Sequence, residues 1–266
     1  MADLTPVAST ALQMAAIRVC ESLRDDRLFN DPFARKLAGE DAIAIATKKV
    51  AEHEDQGRPF GQVRTRYFDD FLLGNVDNFS QVVLLGAGLD TRAFRLDLLK
   101  DLKFFEIDRS EIIDYKNNIL GGETPQCDRI TIATNLEEST WVNLLLEKGF
   151  DRNQKTMWIL EGFLYYLQES QVVDLMKQIS DLSSLGSYLG CDLINKFVAN
   201  GKDEWSSMWH FGCDEPEDFL SQWGWQTKAV QPSDSEASYG RFTLLFPPRE
   251  DKNNMHIFFT TSTKES

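Results

Sequence analysis

Gly86, Gly88, Asp90 and Asp108 are the residues whose types and spacing suit the binding of a nucleoside. Glycines at 86 and 88 carry no Cβ, so the chain can turn sharply and a ligand can approach the backbone. Asp108 follows Gly88 by 20 residues. That is the distance at which an acid at the tip of a second strand accepts hydrogen bonds from a ribose diol. Thr91 replaces the third glycine of the dinucleotide fingerprint G-x-G-x-x-G. Asp90 stands where the next helix would begin. A helix N-terminus attracts phosphate; a carboxylate there repels a pyrophosphate and suits an amino group instead. These residues describe a ligand with a ribose and a cationic tail but no phosphates, and S-adenosylmethionine has that chemistry.

The elements around these residues follow from hydrophobic patterning. Residues 81–85 form a short apolar run that reads as a buried strand. Further strands are predicted over 103–107, 129–133, 156–160, 187–193, 225–230 and 255–262. Helices are predicted between them over 90–99, 110–120, 140–148 and 170–185, the last with Val172, Val173, Leu175, Met176, Ile179 and Leu182 on one face. This alternation implies α/β architecture with a parallel sheet covered on both sides. Residues 231–254 between the last two strands carry no helical pattern. A parallel crossover needs a helix-like span, so the last strand should insert antiparallel. The first 78 residues look all-helical, over 10–23, 33–54 and 63–73, with Asp31 as an N-cap and Pro32 in a first turn. They make a helical cap before a core of 79–266. A Trp- and Phe-rich insertion around 195–222 is placed as a lid over the carboxyl ends of the strands.

The chain has 266 residues, a net charge of -14, 42% hydrophobic and 26% charged residues. These values fit a globular protein of one large domain with a cap. No basic patch stands out, which argues against a nucleic-acid partner, since phosphate binding needs clustered Lys and Arg. Four cysteines, Cys20, Cys127, Cys191 and Cys213, lack metal or disulfide spacing and imply free thiols in a reducing compartment. No apolar run approaches the ~20 residues of a membrane span, and Met-Ala-Asp-Leu-Thr-Pro at the start carries no secretory pattern. A cytoplasmic location is expected, with no metal, as a monomer or a homodimer.

Several stretches together resemble the leucine carboxyl methyltransferase family, closest to its bacterial branch of natural-product O-methyltransferases. They are SLRDDRLFNDPFA (22–34), VRTRYFDDFL (63–72), LGAGLDTRAFR (85–95), FEIDRSEIIDYK (105–116), LEGFLYYL (160–167), and Trp223 to Trp225 with Tyr239, Gly240 and Arg241. The resemblance covers nearly the whole chain and is specific to the family but not to a substrate. It implies a seven-stranded, mostly parallel Rossmann-like methyltransferase sheet with one reversed strand, and S-adenosylmethionine as cofactor.

Roles implied by the resemblance fall on particular residues. Arg64 lies in the segment whose arginine binds the carboxylate of the cofactor's methionine part, with Arg66 as the alternative; a guanidinium grips a carboxylate through two parallel hydrogen bonds. The bland reading is a surface salt bridge to Asp69 or Asp70. Gly86, Ala87 and Gly88 would run beneath the cofactor. Asp108 matches the family's ribose acid, with Glu106 as the other candidate. Asn135-Leu136 stands where relatives commonly have Asp-Leu beside adenine; the amide oxygen of Asn135 can still accept from an amino group. Glu161 is placed near the methionine amino group or the sulfonium, or else as a partner to a lid arginine.

The implied reaction is methyl transfer to a hydroxyl or carboxyl oxygen of a small molecule, in secondary metabolism. A carboxylate acceptor needs no base, whereas a hydroxyl needs one within hydrogen-bond reach. Of three histidines, His53 falls in a polar helix and His256 at a strand start. His210, in the stretch Trp205 to Phe211, is the candidate base, weighed against a structural histidine under the lid. Tyr165 and Tyr166 could line the acceptor pocket or belong to the core. The alternatives are methylation of a protein C-terminal carboxylate, and a binding protein without transfer activity.

Overall fold

β1 (Gln81–Leu85) is buried along its whole length, and its side chains alternate between two hydrophobic cores. Val82 and Leu84 enter one core with α1 (Pro6–Ser22), α2 (Ala34–Ala38), α3 (Glu40–Asp55) and α4 (Phe60–Leu73). Val83 and Leu85 enter the other. The period of two that a strand imposes therefore sorts a continuous apolar run onto opposite faces. This is the burial expected of a parallel sheet covered on both sides. The computed structural model describes residues 6–201 and 206–266.

After β1 come α5 (Arg92–Arg95), β2 (Lys103–Asp108), α6 (Ser110–Leu120), β3 (Asp128–Ala133), α7 (Thr140–Glu147) and β4 (Thr156–Leu160). Then follow α8 (Glu169–Asp181), β5 (Tyr188–Ile194), α9 (Lys196–Ala199), α10 (Pro216–Ser221), β6 (Trp225–Val230) and β7 (Ile257–Lys264). Among the described residues the strands form one sheet in the order β3-β2-β1-β4-β5-β7-β6. β7 runs antiparallel to both β5 and β6, and the other pairs are parallel. The predicted α/β fold and its reversed last strand are therefore present. The order reverses at β1 and β4, which places a crevice at their carboxyl ends, where open α/β sheets bind ligands.

The helices depart from expectation at instructive points. Residues 90–99 were predicted helical, but α5 keeps only four residues. Leu96 turns extended, at φ -89° and ψ 148°. Leu96 and Leu98 then bury while Asp97 and Leu99 are exposed, a period of two that serves the first core. Gly39 divides the predicted helix of 33–54 into α2 and α3. Asp31 does accept from the backbone N–H of Phe33 and Ala34, but Pro32 stays in the turn before α2. Val173 is 41% exposed, off the buried stripe of Val172, Leu175, Met176 and Ile179.

The stretch predicted as a lid divides. Phe211, Cys213 and Leu220 are buried in the second core, and Phe219 packs between Phe211 and Trp223. That part is the crossover leading through α10 into β6. Among the described residues of the stretch, only Ser207 to His210, with Val198 of α9, border the crevice. Trp205 of the predicted lid, and residues 1–5, lie outside the described residues. No helix among those described is long and apolar enough to cross a membrane.

Candidate functional site

The crevice opens into a cavity of about 1040 Å³, bounded by the strand tips on one side and by α1, α3 and α4 on the other. Drug-sized ligands occupy pockets of about 300–1,000 Å³, so this one stands at the top of that range. On the sheet side the glycine turn forms the floor. Gly86 and Gly88 adopt φ of +67° and +49°, a region in which residues with a Cβ are strained. A Cβ at Gly86 would also fall 2.7 Å from the Phe163 ring. Gly86 and Ala87 both donate their N–H to the Ile107 carbonyl, at 3.0 and 3.1 Å. Asp108 Oδ2 accepts the Gly88 N–H at 2.6 Å, and Oδ1 accepts that of Arg109 at 2.7 Å. Burial pushes the Asp108 carboxyl above its ordinary value, against those two amides. A carboxylate has about four lone-pair sites, so two remain for a diol.

Glu106 is the rival that the structure removes. Its side chain is fully buried and grips Lys116 at 2.8 Å and Arg129 at 2.7 Å, and it does not border the cavity. Asp90 lines the cavity, but its carboxylate is not free: Oδ1 accepts the Arg92 N–H and Oδ2 pairs with the Arg92 guanidinium. Burial raises the carboxyl's affinity for a proton, yet Arg92 above all outweighs it and holds Asp90 below the usual range. An acid on the first N–H of α5 repels a phosphate from that helix end.

Behind the floor lies a buried charge network. Arg64 Nε donates to Glu161 at 3.1 Å. Its Nη1 donates to Asp192 and to the Tyr165 hydroxyl, both at 3.0 Å. The Arg64 guanidinium lies 5.1 Å from the Phe60 ring centre, and among the described residues Nη2 meets only Met14 Sδ, at 3.6 Å. The Nη2 edge thus remains available to an acceptor in the cavity. Arg92 pairs with the other Glu161 oxygen at 2.7 Å and with Asp69 at 2.8 Å. Burial opposes charge on Glu161, but Arg92 and then Arg64 dominate and hold its carboxyl low. Glu161 is therefore tied to arginines of α4 and α5, not to a lid arginine. Arg66 instead faces outward and pairs with Asp70 at 2.8 Å, the surface role weighed for it.

Asn135 and Leu136 follow β3 and border the cavity, with Asn135 Oδ1 accepting the Glu137 N–H at 3.1 Å. Tyr165 and Tyr166 also line it, and Trp209 packs edge-on to Tyr165 at 5.4 Å. His210 is exposed at the rim, its backbone N–H held by the Tyr165 carbonyl at 2.7 Å. His256 is buried and bonded to Gln231 and to the Asp251 carbonyl, so it is structural. His53 lines the cap side. Arg92 and Asp192 are the network members that sequence reasoning missed. Asp192 carried a signal, as a lone acid in the apolar run of β5. Among the described residues no group of three or more His, Cys, Asp or Glu side chains could hold a metal.

Residues 11–180 match the model of the family described as leucine carboxyl methyltransferase. A relative from Streptomyces avermitilis is 34% identical over 262 residues, covering 92% of each chain; one from Streptomyces coelicolor is 34% identical over 261 residues, again 92% of each. Both bear the name "putative S-adenosyl-L-methionine-dependent methyltransferase". A solved DUF574 family protein from Streptomyces avermitilis superposes with a TM-score of 0.62 at 12% identity, over 94% of this chain and 96% of that one. An N-methyltransferase from Bradyrhizobium japonicum, solved with S-adenosyl-L-homocysteine, gives 0.51 at 11% identity, over 88% and 97%.

Proposed function

The chain belongs to the leucine carboxyl methyltransferase family and is an S-adenosylmethionine-dependent methyltransferase; from that premise we propose that it methylates an oxygen, hydroxyl or carboxyl, of a small molecule of secondary metabolism. One observation carries the reading: a single cavity runs from the glycine turn to an apolar chamber beneath the cap. Cofactor and acceptor can then meet away from bulk water.

The described residues fit the cofactor. The backbone of Gly86, Ala87 and Gly88 would pass beneath it, and the two open lone-pair sites of Asp108 would take the ribose diol. Asn135 and Leu136 would border the adenine. The Nη2 edge of Arg64 would grip the methionine carboxylate. Glu161 and Asp90 supply negative charge for the cationic part, and the acid at α5 excludes phosphorylated ligands. When bound, S-adenosylmethionine supplies a methyl group on a positively charged sulfur, already activated for displacement. The protein's share is alignment and exclusion of water. Tyr165, buried and beside Asp192, keeps its proton and serves as a wall rather than a base. His210 is the group at the rim placed to take a proton from a hydroxyl acceptor.

Titration calorimetry with S-adenosylhomocysteine tests the cofactor side. Arg64→Ala should weaken binding about 10- to 100-fold, the worth of a charge-assisted hydrogen bond; unchanged affinity removes Arg64 from the site. His210→Ala should lower the rate and alter its pH profile with a hydroxyl acceptor, and leave both intact with a carboxylate. The family's description favours a second reading, methylation of a protein C-terminal carboxylate. Transfer of labelled methyl groups to a small-acid and phenol panel, with none to folded proteins bearing free C-termini, decides for the first.

A further inference from the structure

The cap half of the cavity holds a cation for which the proposed cofactor chemistry has no use. Five arginines line the cavity: Arg18, Arg58, Arg64, Arg92 and Arg109. Four are tied to carboxylates, Arg18 to Asp31, Arg64 to Glu161 and Asp192, Arg92 to Asp69, Asp90 and Glu161, and Arg109 to Glu137. Among the described residues Arg58 is the exception. It has no acid partner, and its Nε is sealed from solvent without any acceptor. A buried donor left unmade is costly, and native structures rarely keep one without a reason.

The backbone fixes where Arg58 stands, and its side chain lines the cavity. Arg58 lies in the turn between α3 and α4, its N–H held by the His53 carbonyl at 2.9 Å and its own carbonyl by the Phe60 N–H at 2.8 Å. The preceding Gly57 has φ +66°, and its carbonyl accepts both Thr243 N–H at 2.8 Å and Leu244 N–H at 2.9 Å. A Cβ at Gly57 would fall 2.1 Å from Thr243 Oγ1, so only glycine lets the turn close on the loop between β6 and β7. That clamp brings Phe242 and Phe246 to the chamber that Arg58 enters. Val50, Phe60, Met255 and Ile257 complete its apolar wall. Lys49 and His53 add basic groups from α3, and Glu52 is the acid on that helix facing the cavity. Burial first, and then the nearby Arg58 charge, hold the His53 imidazole below its usual value, so it does not compete as a cation.

We propose that Arg58 anchors a carboxylate of the acceptor, which is therefore an amphipathic organic acid with its apolar body against Phe60, Phe242 and Phe246. This rests on the methyltransferase reading. The anchored carboxylate is not the methylated oxygen: Arg58 stands in the turn before α4, whereas Arg64 lies four residues past Phe60 inside that helix, roughly 6 Å further along its axis at a rise of 1.5 Å per residue. A planar guanidinium suits a carboxylate through its paired N–H groups. The acid is fixed at one end and presents a second oxygen to the strand tips.

Octanoate and octanamide are the probes, equal in length and different in charge. They are titrated calorimetrically into the full chain, with and without saturating S-adenosylhomocysteine. Octanoate should bind at least tenfold tighter than octanamide. Arg58→Ala and Arg58→Gln should each erase that preference while leaving octanamide and S-adenosylhomocysteine affinities unchanged. Arg58→Lys should keep part of it, as a charge without the fork. Equal binding of the two probes, no octanoate binding, or an unaltered preference in the folded Arg58→Gln protein would overturn the assignment. Failure of S-adenosylhomocysteine to bind the unaltered chain overturns the methyltransferase reading instead, and the comparison without it still judges Arg58.

Discussion

Glu106 and Glu161 are both glutamates held by two basic side chains, yet one is fully buried and the other is part-buried and faces the cavity. Glu106 sits with Lys116, each fully buried, and Arg129. It has no route to a ligand. Glu161 belongs to a larger mesh in which Arg64 and Arg92 each have further acids, Asp192 on one side and Asp69 and Asp90 on the other. The difference teaches that a buried ion pair serves as scaffold when it is closed. It serves as an instrument when one member keeps an edge toward open space, as Arg64 does.

Predictions that break or sharpen the contrast run from large to small. Glu106→Ala leaves Lys116 charged and unpaired in the interior, and should cost about 3–5 kcal/mol of stability in urea unfolding. Glu106→Leu with Lys116→Met should recover part of that loss, since an apolar pair of similar volume removes two of the three charges and leaves Arg129 with Asn117 and the Phe94 ring. Equal stability of the single and double variants would break the comparison. Glu161→Gln should cost less, about 1–3 kcal/mol, because neighbouring acids still neutralise its arginines. In exchange it should weaken S-adenosylhomocysteine about tenfold, an effect the Glu106 double variant should not show.

The acid limb of stability gives a third test. Glu161 and Asp90 are held below their usual values. Their stabilisation is therefore complete above the unfolded carboxylate range, roughly pH 4–4.5, and is lost as pH falls through their lower folded values. Unfolding midpoints should drop across that window, and Glu161→Gln should flatten the slope. The smallest effect concerns the thiols. Burial pushes Cys127, Cys191 and Cys213 up to about 12, while Cys20 in the cap is only part-buried. Native alkylation at pH 8 should modify Cys20 alone, and unfolding should release the rest.

The strands were legible because a parallel sheet buries both faces, so each announces itself as a continuous apolar run with turn residues at its ends. β4 and β6 match their predicted spans. Even the reversal of β7 followed from the missing helix before it. The glycine turn and Asp108 were legible from spacing, since that geometry recurs wherever a strand meets a nucleoside. What stayed hidden was the partner list. Nothing in the order of residues pairs Arg64 with Asp192, 128 positions away, or leaves Arg58 without an acid among the described residues. Glu106 and Asp108 share a strand and a charge, and only the location of Lys116 and Arg129 separates them. The short α5 was misjudged because Leu96 and Leu98 stand at helical spacing from Ala93 and Phe94 and also at the period of two that an extended edge requires. The stretch around 195–222 read as a lid because aromatic residues mark a cover and a core alike.

The hydrogen bond from Gly88 to Asp108 bears on how quickly a ligand is caught. It fixes the glycine loop before any guest arrives, so that the entropy of ordering that loop is lost during folding rather than at the encounter. Association then resembles docking onto a rigid shelf, and differences in grip among related guests should appear as residence time rather than arrival rate.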